Sequence, residues 1–287
     1  MRSPQFLLFN AAAALAGLAA LVAAAWSTLM PASVAPCAER YHAMTAFVLE
    51  RGGVVLTAAD LQSSLEGKDV GVVDSVSIGP VKGAPAPLGM GVRLQKASVS
   101  NDGSVTPFTG GTRFPWQPRA MQGKTSACLS YSVLLPADFD FHRGGVLPGI
   151  SGAEEKDQGD RFAVPFAWRS KDGGKEGGGV TVRITENGVA RGLPVERQPF
   201  EFPRGRWVKL EQEVVLNTPK MEDGTLRVWV DGALIVDRRD VAYRTKPGLA
   251  IGGVSVEVFR GTGPSDAHAA AGKAATVWLT PFEMRWQ

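Results

Sequence analysis

Two cysteines, three histidines and three tyrosines in 287 residues leave few groups for thiol, metal or phenol chemistry. Cys37 and Cys128 have no companion cysteine and no paired histidine, so no zinc site, and no metal or cofactor of any kind, is expected. A concentrated basic stripe is lacking too. The formal charge is +3, from 31 Lys and Arg against 28 Asp and Glu, and basic clusters go no further than pairs such as Arg238-Arg239. Nucleic acid is therefore not an expected partner. With 44% hydrophobic and 21% charged residues, the chain can fill a core, which excludes global disorder.

What is plentiful is glycine and proline, 34 and 19 of them, scattered between short Val/Leu-rich runs. That texture belongs to many strands joined by turns and argues against a helical bundle. One long apolar run stands apart. Phe6 to Trp26 follows Arg2 and carries Asn10 as its one strongly polar side chain. As a helix it would span roughly 30 Å, the thickness of a bilayer core. Three readings stay open: an uncleaved anchor, a signal peptide cut at Ala23-Ala24-Ala25, or a lipoprotein box at Val34-Ala35-Pro36-Cys37. All three imply export, with membrane contact through residues 6–26 and either an inner-membrane-anchored periplasmic domain or a secreted one. Export would place Cys37 and Cys128 in an oxidising compartment, where they are candidates for a disulfide; a buried thiol at Cys128 is the alternative.

The expected organisation is a signal or anchor over 1–30, a linker with short helices over 31–67, and a strand domain over 68–287. Tyr41, Met44, Phe47 and Val48 fall on one stripe of an expected helix from Ala38 to Glu50, stopped by Gly52-Gly53. Thr57 and Asp60 form a capping-box pattern for a second helix through Leu65. Strands are expected at 70–73, 91–94, 129–135, 162–169, 180–185, 207–216, 226–230, 254–259 and 277–282. Alternation in 162–169 sets Phe162, Val164, Phe166 and Trp168 on one face and Ala163, Pro165, Ala167 and Arg169 on the other. The fold class that follows is all-β, a jelly-roll β-sandwich preceded by an N-terminal hydrophobic anchor helix and a short helical preface.

Several runs occur in a distinctive order. Pro136-Ala137-Asp138-Phe139-Asp140-Phe141 leads into His142-Arg143-Gly144-Gly145-Val146-Leu147-Pro148-Gly149-Ile150. Trp168-Arg169, Gly205-Arg206-Trp207, Val214-Val215-Leu216-Asn217-Thr218-Pro219 and Asp223-Gly224-Thr225-Leu226-Arg227-Val228-Trp229-Val230-Asp231-Gly232 follow. In this combination the chain, over about 68–287, resembles the family 14 polysaccharide lyases, which act on alginate and glucuronan. The resemblance implies a jelly roll whose concave sheet binds an acidic glycan. It also implies β-elimination, in which a cation or strong donor stabilises the uronate carboxyl while a base removes the C5 proton and an acid protonates the leaving O4.

The same resemblance locates departures. The two lysine positions of the family's Lys-Gly-Gly-Lys run are Arg143 and Val146, its serine and arginine positions are Ala163 and Pro165, and no tyrosine occurs in 180–184. Tyr41, Tyr131 and Tyr243 lie elsewhere, and Tyr131 shares the apolar face of its strand. Arg143, Arg169 and Arg183 are the candidate substrate-binding residues, since guanidinium groups suit bidentate carboxylate recognition. Their alternative is a solvated surface arginine. His142 and Arg143 are the candidates for a relocated catalytic group; a solvated loop histidine is the bland reading of the former. Glu154-Glu155-Lys156-Asp157 with Asp160 lacks an ordered spacing for calcium and reads as a solvated loop. Trp207, Trp229, Trp278 and Trp286 could stack on sugars, although at strand spacing they read as core.

Three functions follow. The first is an exported or anchored domain recognising an acidic polysaccharide, its elimination chemistry lost. The others are an active lyase with a rebuilt site, and a structural or assembly protein docking a partner through residues 38–66.

Overall fold

Alternating side chains give each strand an apolar and a polar face, and two apolar faces close on each other in this protein. The computed structural model describes residues 34–65, 68–95, 110–141, 144–154, 160–169, 177–195, 200–261 and 273–287. The apolar run 6–26, and with it the expected anchor helix, lies outside them. Among the described residues no helix is long and apolar enough to cross a membrane.

The described residues start with a helical turn, α1 (Cys37–Arg40), then β1 (Ala43–Ala46), the hairpin β2 (Glu50–Arg51) and β3 (Val54–Val55), and the helices α2 (Ala58–Ser64) and α3 (Val72–Ser75). Next come β4 (Val76–Gly79), β5 (Gly89–Leu94), β6 (Thr112–Trp116), β7 (Ser126–Leu134), β8 (Gly145–Glu154), β9 (Arg161–Arg169) and β10 (Gly177–Glu186). The remainder is β11 (Val189–Pro194), β12 (Phe200–Glu201), β13 (Trp207–Val215), β14 (Gly224–Val230), β15 (Ala233–Val241), β16 (Leu249–Arg260), β17 (Ala275–Leu279) and β18 (Glu283–Trp286).

One sheet runs β15-β14-β13-β7-β17-β5-β4, with β18 also on β7 and β1 on β18. The other runs β11-β10-β9-β8-β16-β6, with β12 beside β10. The result is a two-sheet sandwich, consistent with the expected jelly roll. Phe162, Val164, Phe166 and Trp168 from one sheet and Leu129, Val133, Leu210 and Val214 from the other are fully or almost fully buried in a shared core.

The expected helix from Ala38 to Glu50 is not formed. One helical turn gives way to β1, which pairs with β18 from Ala43↔Trp286 to Ala46↔Glu283. Strand alternation replaces the helical stripe: Tyr41 and Phe47 are buried, whereas Met44 and Val48 are 50% and 59% exposed. Tertiary pairing has overridden local helix propensity. The second helix is as expected, with Thr57 and Asp60 exchanging both capping-box hydrogen bonds. At 70–73, where a strand is expected, Gly71 at φ 72° instead opens α3.

The larger correction is at Gly144–Ile150. No strand is expected there, yet β8 starts at Gly145, directly after a turn at Gly144 with φ 75°. Gly145 is needed because a Cβ there would lie 1.9 Å from the Trp168 ring. At Gly149 a Cβ would lie 2.0 Å from the Val164 carbonyl oxygen. The β8–β9 register shifts between Leu147 and Gly149, opposite Pro165, which has no N–H to give a ladder.

Candidate binding cleft

The outward face of the β8–β9–β10 sheet is a cleft of about 760 Å³. Cross-strand register builds its floor: Ser151 lies opposite Ala163, and Ala163 opposite Arg183. Ser151 and Ala163 are small, while Val146 and Pro165, further along the same strands, are buried and do not line the cleft. Guanidinium groups form the walls: Arg161 from β9, Arg183 from β10, Arg191 from β11 and Arg113 from β6. Among the described lining residues Glu257, on β16, is the one carboxylate. Its side chain meets Arg183 at 2.9 Å and accepts a hydrogen bond from Ser255 at 2.9 Å. No carboxylate among the described residues pairs with Arg113, Arg161 or Arg191. Four guanidiniums against one carboxylate make the cleft an attractor for anions.

Of the candidates from sequence, Arg183 lines this cleft. Arg169 shares the outward face of β9 but lies towards its far end, where Nη2 donates to Thr181 Oγ1 at 3.4 Å. His142 and Arg143 lie outside the described residues. Arg161, Arg113, Arg191 and Glu257 also line the cleft and are not among the candidates from sequence. Arg161 has the same parity as Ala163 and Arg169, so strand alternation could have found it. Arg191 was hidden by an unrecognised hairpin, whose Asn187-Gly188 turn takes positive φ at both residues. Glu257 alternates with Val256 and Val258 in the same way.

Of the loop weighed for calcium, Glu155, Lys156 and Asp157 lie outside the described residues. Asp160 is buried, with Lys246 Nζ at 2.8 Å and the Asn187 N–H at 2.7 Å. The hydrogen bonds from Lys246 and Asn187 hold its carboxyl below the usual range. Trp229 is buried, while Trp207, Trp278 and Trp286 are half-buried, and none of the four lines the cleft. Tyr131 is buried, its hydroxyl donating to the Pro148 carbonyl at 2.9 Å, and burial pushes its ionisation well up. It anchors the bulge of β8 from the opposite sheet.

On the outer face of the β7–β13 sheet, the segment after Pro36 forms a strap. Cys37 and Cys128 are joined by a disulfide. Glu213 accepts from Arg40 at 2.7 Å, from Tyr41 at 2.9 Å and from Arg227 at 2.9 Å. Burial alone would raise the Glu213 carboxyl, but these three donors outweigh it and hold it low. Burial, followed by the neighbouring Glu213 charge, pushes the Tyr41 hydroxyl up to about 12.

The polysaccharide lyase 14 family matches this chain over residues 86–279, more than half its length, and the chain belongs to that family. A family 14 alginate lyase from Aplysia kurodai superposes with a TM-score of 0.59 at 20% identity, over 79% of this chain and 94% of that one. An alginate lyase variant in complex with alginate tetrasaccharide gives a TM-score of 0.57 at 15% identity, over 86% and 98%. The endo-β-1,4-glucuronan lyase from the fungus Trichoderma reesei gives 0.51 at 11% identity, over 78% and 89%. These likenesses are of fold. No curated protein sequence matches the chain.

Proposed function

We propose that this chain is an exported, membrane-tethered protein whose sandwich binds an acidic, uronate-containing polysaccharide without cleaving it. The observation that carries the reading is a cleft walled by Arg113, Arg161, Arg183 and Arg191 over a floor that includes Ser151 and Ala163. Guanidiniums recognise carboxylates in a planar, two-pronged way and stay charged at any ordinary pH. They therefore suit binding and are poor proton acceptors. By likeness to the family's motifs, Val146, Ala163 and Pro165 replace the lysine, serine and arginine of elimination, and none of the three can move a proton or neutralise a carboxylate. The similar lyases are named for alginate and glucuronan, both acidic polysaccharides, which supports the ligand class.

Export and tethering rest on the apolar run Phe6 to Trp26 and on the Cys37–Cys128 disulfide, a bond that persists in oxidising compartments. The test offers alginate and glucuronan to the purified protein and follows ultraviolet absorbance of unsaturated uronate ends. The expected trace is flat, while the protein is retained on a column of one of these polymers and released by Arg161→Ala. A steady rise in absorbance would overturn the non-catalytic reading.

A further inference from the structure

Arg183 and Glu257 meet across the cleft, although β9 and β8 lie between their strands. Three inter-strand steps separate the two backbones by roughly 14 Å. Both side chains must extend over the floor to close that gap to 2.9 Å. They can do so because what lies beneath is small: Ala163 on β9, opposite Ser151 on β8. Both oxygens of Glu257 are engaged, Oε2 by Arg183 and Oε1 by Ser255. The pair remains within reach of solvent, with side-chain exposures of 37% for Arg183 and 15% for Glu257.

A carboxylate held by an arginine inside an anion-attracting cleft has the same chemistry as a uronate bound there. An ion pair this exposed is also weak enough to exchange partners. We propose that Glu257 is a specificity-determining residue, a built-in competitor that occupies Arg183 while the cleft is empty and yields to a ligand bringing its own anionic group. A neutral glycan finds Arg183 already neutralised and has nothing to offer in exchange. This inference rests on the acidic-glycan reading of the cleft, and the test below separates the two.

The full chain, kept in detergent, is titrated calorimetrically with alginate tetrasaccharide and with its carboxyl-reduced, neutral analogue. Sulfate is used as a glycan-free probe, followed by the side-chain nitrogen resonance of Arg183. Glu257→Ala removes the competitor, and Glu257→Gln keeps its shape and its acceptor for Ser255. Both variants are expected to bind the tetrasaccharide about threefold or more tighter than wild type. The neutral analogue should gain nothing, and sulfate should shift the Arg183 resonance at a lower concentration in both variants. Unchanged or weakened binding of both anionic probes would overturn the proposal, as would an equal gain for the neutral analogue. A sulfate gain with no tetrasaccharide binding in any form would uphold the competitor and sink the acidic-glycan reading.

Discussion

Gln212 donates its side-chain amide to the Val164 carbonyl at 2.7 Å, crossing from one sheet to the other through the core. The same amide accepts from the Ile150 N–H at 2.9 Å, so one fully buried side chain supports β8 and β9 where Pro165 interrupts their ladder. Gln212→Leu strands two buried backbone groups. It should cost about 1–3 kcal/mol, read as a lower urea midpoint with an unchanged slope. A variant as stable as wild type would show that the interruption is supported by other means.

Gly149 lies one position from that amide bond. A Cβ there would meet backbone, the Val164 carbonyl oxygen, which cannot rotate away as a side-chain tip could. Gly149→Ala should therefore lose about 1–3 kcal/mol in the same denaturation experiment.

The strap should respond to acid in a defined direction. Since the Glu213 carboxyl is held low in the folded state, its contribution is complete above the unfolded value of about 4.3 and is lost as pH falls through its lowered folded value. Glu213→Gln should lower stability by about 2 kcal/mol at pH 7, through weaker hydrogen bonds to Arg40, Arg227 and Tyr41. The gap to wild type should shrink in acid. A gap that stays constant from pH 7 to pH 3 would show that the charge of Glu213 contributes nothing.

The disulfide closes a separation of 91 residues between Cys37 and Cys128. Restricting so long a loop in the unfolded chain is worth about 2–5 kcal/mol. The double variant Cys37→Ser with Cys128→Ser should show that loss in urea, and wild type should show it on adding reductant. Equal midpoints with and without reductant would mean that the bond adds no stability.

Much of this architecture was legible from alternation. The faces of 129–135 and 162–169, including the inward Tyr131, follow from period two alone. What was not legible depended on long-range partners. β8 is absent from the expected strands because glycines signal turns, whereas two of its glycines make room for groups from β9: the Trp168 ring at Gly145, the Val164 carbonyl at Gly149. The first helix failed because β18, some 240 residues away, offered β1 a strand partner. The cleft was half visible. Arg183 is a candidate from sequence, on the strand after Trp168-Arg169, but its pairing with Glu257 arises from sheet order, which no local pattern encodes.

The central claim is that the cleft holds an acidic glycan and leaves it intact. Frontal chromatography of alginate tetrasaccharide over the immobilised protein tests both halves in a single elution. The account predicts a retarded front that emerges as unbroken tetrasaccharide, with the retardation lost in the double variant Arg161→Ala, Arg183→Ala and reduced by added salt. An unretarded front, or one that emerges as shorter unsaturated fragments, would contradict it.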